Sequence, residues 1–213
     1  MPRWLRIFFT GLSFVLFFVG GGLLGAVVAP LLLLLGLGRR ERQRDRLTRV
    51  VNGSYAFFLW WMKLVGLIGY DKLEPPPELE GRSYVLVSNH PTLIDVLYLL
   101  NWFPRLTCVV KASWYRVWFF GTLLRGTHYL AGPGVAGDDV ASSDAADGWG
   151  STALDRMVEH LRAGHPLLVF PEGTRSKAAR LRRFKRGPFE AARRAGVPIV
   201  PVFIHVDRPM LMK

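Results

Sequence analysis

The chain has 213 residues, of which half are hydrophobic, a formal net charge of +12 and a single cysteine. One cysteine excludes an internal disulfide framework, and a positive mean hydropathy is high for a protein that hides its apolar surface in a core alone. The basic excess turns the surface toward anions, whether lipid headgroups, nucleic acid, acidic carrier proteins or phosphorylated small molecules, without choosing among them.

No charged residue occurs from Ile7 to Gly38, a stretch longer than the roughly 20 apolar residues that carry a helix across a bilayer core. Arg3 and Arg6 precede it, while Arg39, Arg40, Arg42, Arg44 and Arg46 come after it. The heavier positive flank is downstream, so the remainder of the chain is expected on the cytoplasmic side of an inner or cytoplasmic membrane. Gly20, Gly21, Gly22 and Pro30 interrupt the stretch, which leaves a kinked span or a shallow hairpin as alternatives to one straight helix. A cleaved signal peptide competes, but its apolar region runs only about 7 to 15 residues.

Residues 1–46 are therefore assigned to a membrane segment with a basic flank. Residues 47–77 are assigned to an interfacial or amphipathic helix and a Pro-rich linker. Within them, residues 55–70 carry Phe57, Phe58, Trp60 and Trp61, which suits a helix in the headgroup region as well as it suits a core helix. Pro75, Pro76 and Pro77 then punctuate the chain.

Residues 78–213 form the expected catalytic domain. Strands are predicted at 83–88, 106–111, 166–170 and 198–204, and helices at 91–101, 152–163 and 188–195. This alternation indicates an α/β fold, a single mixed sheet flanked by helices and preceded by the N-terminal membrane helices. Cys108, inside an apolar run, reads as a packed thiol and not as a nucleophile. The aperiodic piece between Gly132 and Gly150 reads as a loop.

Chemistry is written first in Asn89, His90, Pro91, Thr92, Leu93, Ile94 and Asp95, directly after the first strand. Pro91 suits the first helical position, which puts His90 at the cap and Asp95 one turn on. Asp95 is the only charge in an otherwise apolar helix, where an unpaired carboxylate is costly. Bonded to one imidazole nitrogen, it fixes the tautomer and leaves the other nitrogen free to take a proton from a hydroxyl. The plain alternative is a capping His and a partly solvated Asp.

A second block, Phe170, Pro171, Glu172, Gly173, Thr174, Arg175 and Ser176, closes another strand. A turn with a glycine, a hydroxyl and a guanidinium can present N–H groups and a bidentate donor to a phosphate.

Together these blocks resemble the glycerolipid acyltransferase family, specifically the 1-acylglycerol-3-phosphate acyltransferases and their relatives, over residues 83–204. Its Asn-His-x-x-x-x-Asp signature is met by Asn89, His90 and Asp95, its Phe-Pro-Glu-Gly-Thr-Arg-Ser signature by Phe170 to Ser176, and its final apolar block by Val197, Pro198, Ile199, Val200, Pro201 and Val202.

The resemblance implies a membrane-associated O-acyltransferase. His90 is the general base oriented by Asp95, and Glu172, Gly173, Thr174 and Arg175 hold the acceptor's phosphate. The donor is acyl-CoA or acyl-carrier protein, the acceptor a lipid hydroxyl, and neither a cofactor nor an acyl-enzyme is needed. The second signature of the family departs here. Lys111 opens it, placing that residue with the substrate, and Gly121 and Gly126 keep its spacing. Where many relatives carry a phosphate-binding arginine, however, this chain reads Tyr129, Leu130, Ala131, Gly132.

That departure keeps open an acceptor from a specialised lipid or aryl-polyene pathway. A thioesterase is the enzymatic rival, since a His base can activate water, though no Gly-x-Ser-x-Gly elbow is present. A basic membrane-surface binding protein is the non-enzymatic one; nucleic acid is not expected as a partner. Lys177, Arg180, Arg182, Arg183, Lys185 and Arg186 form a basic patch beside the turn, with Phe184 and Gly187 as docking candidates. His128, His160, His165 and His205 lack ligand spacing, so no metal is expected.

Overall fold

The structure is a computed structural model that describes residues 1–34, 40–70, 73–103, 105–132, 151–175 and 182–206. In chain order the elements are α1 (Arg3–Leu23), a π-helical turn (Leu24–Val28), α2 (Ala29–Leu34), α3 (Arg40–Leu64), a 3-10 turn (Pro77–Leu79), β1 (Val85–Ser88), α4 (Asp95–Trp102), β2 (Thr107–Val110), α5 (Ala112–Arg116), α6 (Trp118–Arg125), β3 (Leu130–Ala131), α7 (Ser151–Arg162), β4 (Leu167–Val169), α8 (Gly187–Ala195) and β5 (Ile199–Val202). They group into two units, Met1–Leu73 with Ser113–His128, and Glu74–Ala112 with Tyr129–Lys213.

In the first unit Pro30 does not break the apolar helix. Proline has no N–H, and its ring crowds the carbonyl one turn back. The chain absorbs this in the preceding π-helical turn, where the Ala29 N–H bonds to the Leu24 carbonyl. The stretch Arg3–Leu32 is one helix long and apolar enough to cross a membrane, with little of it buried in the unit.

The boundary expected between residues 46 and 47 falls inside α3, because nothing in that run stops a helix. The helix expected at 55–70 is the second half of α3 and the turn after it. Trp61 Nε1 donates to Ser13 Oγ at 3.0 Å, tying α3 to α1, and Phe17 and Phe58 meet edge-on at 5.3 Å. His128 Nε2 is 3.0 Å from Asp45 Oδ1 and 4.0 Å from Glu41 Oε2, acidic neighbours that sequence spacing did not reveal. The helices α5 and α6, absent from the sequence-based expectation, come after β2 and before β3 in chain order.

The second unit is built on a five-stranded sheet of order β3-β2-β4-β1-β5. Every pairing is parallel, which replaces the mixed strand directions expected from sequence. The physical reason lies in the connections. Each strand reaches the next through at least one helix, and such a crossover returns the chain to the starting end of the sheet.

Side chains alternate between the faces. Val85, Leu167 and Val169 pack with Met157, Val158 and Leu161 of α7 and Ala191 and Ala192 of α8. Leu86 and Leu168 are buried on the other face, as is Tyr84, whose ring meets Phe103 just beyond α4. The loop expected between Gly132 and Gly150 lies outside the described residues from position 133 on.

Candidate active site

β1 and β4 are neighbours, parallel and in register at Val87 and Val169. The chain therefore leaves both strands side by side at one edge of the sheet, the carboxyl edge where open α/β sheets place their ligands. From β1 come Asn89 and His90; from β4 comes the turn that starts at Phe170. Asn89 clamps β5 to this edge: its Nδ2 donates to the Ile204 carbonyl at 2.8 Å, and its Oδ1 accepts the Ile204 N–H at 2.7 Å.

The His90 ring stacks on Phe170 with centroids 4.1 Å apart and planes 17° from parallel. Its Nδ1 lies 3.0 Å from Asp95 Oδ2. The pair meets as expected, but not on the expected backbone. Pro91 is not the first helical residue and His90 is not at the cap; α4 begins at Asp95 itself, and residues 92–94 form a bend before it.

The cause is Thr92, one of the four unspecified positions of the Asn-His-x-x-x-x-Asp signature. Its N–H donates to Asp95 Oδ2 at 2.6 Å, its hydroxyl donates to Asp95 Oδ1, and its Oγ1 accepts the Ile94 N–H at 3.3 Å. Thr92 and Asp95 thus close a local loop of side-chain and backbone hydrogen bonds just ahead of the helix, whose cap is Ile94, and Thr-x-x-Asp at 92–95 was the sequence signal for it. Asp95 is 1% exposed, and three donors on its two oxygens make burial of the charge tolerable. A carboxylate can only accept, so His90 Nδ1 carries the hydrogen and Nε2 presents its lone pair.

The turn after β4 is held by chain from residues 182–187. The Gly173 N–H bonds to the Phe170 carbonyl and the Lys185 N–H to the Pro171 carbonyl, both at 2.9 Å. Gly173 has φ +67°, a backbone conformation that calls for glycine, and Lys185 Cε lies 2.9 Å from where a Cβ would stand. The stem of Lys185 thus crosses the turn. Its ammonium, part of the basic patch in the sequence, stands beside this turn.

Glu172 is buried and its Oε2 accepts the Arg182 N–H at 3.2 Å; in the structure it anchors the fold-back. Thr174 and Arg175 are half-buried just beyond. Lys111 is exposed at the carboxyl end of β2, the strand beside β4. No carboxylate among the described residues pairs with Lys111, Arg175 or Lys185.

Phe184 stacks toward Phe189 of α8, with centroids at 6.2 Å. Ser176, Lys177 and Arg180 lie outside the described residues. At the sheet margin the Gly132 N–H bonds to the Val110 carbonyl at 2.8 Å, and β3 brings no cation there. Cys108 is buried, and burial pushes its thiol up to about 12, as suits a packed group.

A family model described as Acyltransferase matches residues 68–205. The 1-acyl-sn-glycerol-3-phosphate acyltransferase of Saccharomyces cerevisiae is 30% identical over 197 residues, 89% of this chain and 57% of that protein. The 1-acyl-sn-glycerol-3-phosphate acyltransferase alpha of Homo sapiens is 34% identical over 122 residues, 57% of this chain and 40% of that one. The chain spans about half the length of the curated relatives it matches. Among solved structures, the 1-acyl-sn-glycerophosphate (LPA) acyltransferase PlsC from Thermotoga maritima has the same fold, with a TM-score of 0.63, 20% identity, and coverage of 92% of this chain and 74% of that chain.

Proposed function

The chain belongs to the acyltransferase family, and from that premise we propose that it is a membrane-attached enzyme transferring a fatty acyl group from a thioester donor to the free hydroxyl of a 1-acylglycerol-3-phosphate-like lipid. His90 Nε2 takes the hydroxyl proton as the oxygen attacks the thioester carbonyl carbon. Asp95 Oδ2, on Nδ1, stabilises the imidazolium that forms. The tetrahedral intermediate collapses, the C–S bond breaks, and the leaving thiolate recovers the proton from His90. The product is an ester and a free thiol; acyl-CoA or acyl-carrier protein serves as the donor.

Arg175 and Lys185 hold the acceptor's phosphate, with Lys111 at the same sheet edge and the Gly173–Thr174 turn offering backbone donors. The apolar helix Arg3–Leu32 anchors the chain in the bilayer where its lipid substrates reside. The downstream arginines favour the cytoplasmic side for the site.

The single observation carrying this reading is the His90–Asp95–Thr92 hydrogen-bonded set beside that turn. His90→Ala should abolish transfer from acyl-CoA to lysophosphatidate in detergent micelles while vesicle association persists; retained turnover would reject the base assignment. Thiol release that is equal with and without an acceptor would identify a thioesterase. A second reading, an acceptor lacking phosphate, is favoured by the stretch Tyr129, Leu130, Ala131, Gly132 standing where many relatives carry an arginine. It predicts that neutral monoacylglycerol is used better than lysophosphatidate.

A further inference from the structure

The helices α5 and α6 have no role in the chemistry, yet α6 is packed on the apolar N-terminal helix. A Cβ on Gly25 would collide with the Phe119 carbonyl oxygen, and a Cβ on Gly21 would come within 2.9 Å of the Phe120 ring. Phe120 also meets Phe17 and Phe18, with centroids at 6.2 Å in both cases. Small residues four apart let two helices approach backbone to backbone, as they do inside bilayers.

Gly25 and Gly21 stand 9 and 13 positions before Leu34, about 14 and 20 Å along a helix. In a helix that crosses a bilayer this is the hydrocarbon region, whose half-thickness is about 15 Å. An element fastened there by backbone contact enters the membrane with the helix.

The surface of this element fits that environment. Trp118 is 69% exposed and Trp114 39%, an amphipathic aromatic pair of the kind that anchors at a membrane interface. Arg116 precedes α6 and Arg125 ends it, and Arg125 Nη1 donates to the Tyr115 carbonyl at 3.0 Å, which satisfies part of the guanidinium's hydrogen-bonding capacity within the protein. In the same unit α3 exposes Phe57, Trp60 and Leu64 and carries Arg40, Arg42, Arg44, Arg46 and Arg49, a basic series complementary to anionic lipid.

We infer that residues 114–125 are a second membrane-seated element, inserted beside the N-terminal helix into an anionic bilayer, so that the chain holds lipid at two points far apart in sequence. The inference rests on the membrane reading given above.

The test uses the full chain with Cys108→Ala and Trp118→Cys, labelled with the environment-sensitive fluorophore NBD, and a control labelled through Arg194→Cys on α8. Each is reconstituted in phosphatidylglycerol/phosphatidylcholine vesicles with plain or brominated acyl chains. The probe at 118 should shift to the blue, lose intensity in brominated lipid and escape quenching by aqueous iodide; the probe at 194 should do the reverse. In a chain that also carries Gly25→Leu, the added side chain should push α6 away and return iodide quenching at 118.

Iodide quenching and indifference to bromine at 118, in protein that co-sediments with vesicles, would overturn the inference alone. So would shielding from both quenchers with cross-linking between copies, which would mark a protein interface. Failure to co-sediment at all would overturn the membrane reading and the inference with it.

Discussion

Asp95→Asn separates the charge of the carboxylate from its geometry. One oxygen of Asp95 receives the Thr92 N–H and His90 Nδ1; the other receives the Thr92 hydroxyl. A backbone N–H cannot accept, so the asparagine amide has one tolerable orientation: oxygen toward Thr92 N–H and His90, nitrogen toward Thr92 Oγ1, whose hydroxyl rotates to accept. In that orientation the tautomer of His90 is unchanged, and only the negative charge is lost.

Imidazolium and carboxylate charges about 4 Å apart at an effective dielectric constant of about 20 attract by about 4 kcal/mol. With the proton about half transferred in the transition state, about 2 kcal/mol is forfeited, or about 30-fold in kcat. Where such a substitution instead flips the tautomer, the loss reaches about 10,000-fold. Thiol release from acyl-CoA, measured at saturating lysophosphatidate on folded protein, reads the difference. A loss near 10,000-fold would mean that Thr92 does not set the amide; an unchanged rate would mean that Asp95 does not act on His90. Either result refutes the reasoning.

Lys185→Met keeps the stem over Gly173 and removes the charge. It should raise KM for lysophosphatidate about tenfold, the worth of a charge-assisted hydrogen bond, with kcat little changed and neutral monoacylglycerol unaffected; an unchanged KM removes Lys185 from the phosphate site. Asn89→Ala deletes both bonds to Ile204, about 2 kcal/mol in all, and should lower Tm by about 4 to 8 °C, with faster hydrogen exchange in β5. Cys108, its thiol pushed from 9.0 up to about 12 by burial, should resist iodoacetamide at pH 8 in the folded protein and react once guanidinium unfolds it. Because the unfolded chain gives up that proton first, stability should fall as pH rises from 9 toward 12. Tyr84, pushed from 10.0 up to about 12 chiefly by burial, steepens the fall above 10. Cys108→Ala should flatten the part between 9 and 10 in thermal melts.

The α/β class, the four longer strands and both outer helices α7 and α8 were legible because apolar runs bounded by Gly and Pro mark buried strands, and strand–helix alternation marks crossovers. Strand direction followed from the same crossovers and was still expected to be mixed. β3 escaped because Leu130–Ala131 is too short to carry a period. The helices α5 and α6 escaped because, at five and eight residues, they are too short to display a helical period. His90 and Asp95 were legible from the cost of leaving a carboxylate alone among leucines. Thr92 was not, because its part is played by a backbone N–H whose direction depends on the bend, although the Thr-x-x-Asp spacing hinted at it.

Lys185 shows what spacing cannot express. A cation that reads phosphate above a parallel sheet needs only to stand over the carboxyl edge, and every loop at that edge is a candidate to supply it. In this chain β3 ends in Ala131 and offers none, whereas Lys185, two residues ahead of α8, lies across Gly173. The left-handed glycine and two hydrogen bonds, from Arg182 N–H to the buried Glu172 carboxylate and from Lys185 N–H to the Pro171 carbonyl, hold residues 182–185 against the turn. Glu172 and Arg182 are 10 positions apart and Gly173 and Lys185 are 12, too far for any periodicity to relate them. If the phosphate is bound here, the missing arginine of the second signature has been replaced by a lysine from a different loop, and acceptor choice should follow Lys185 more closely than any residue of β3.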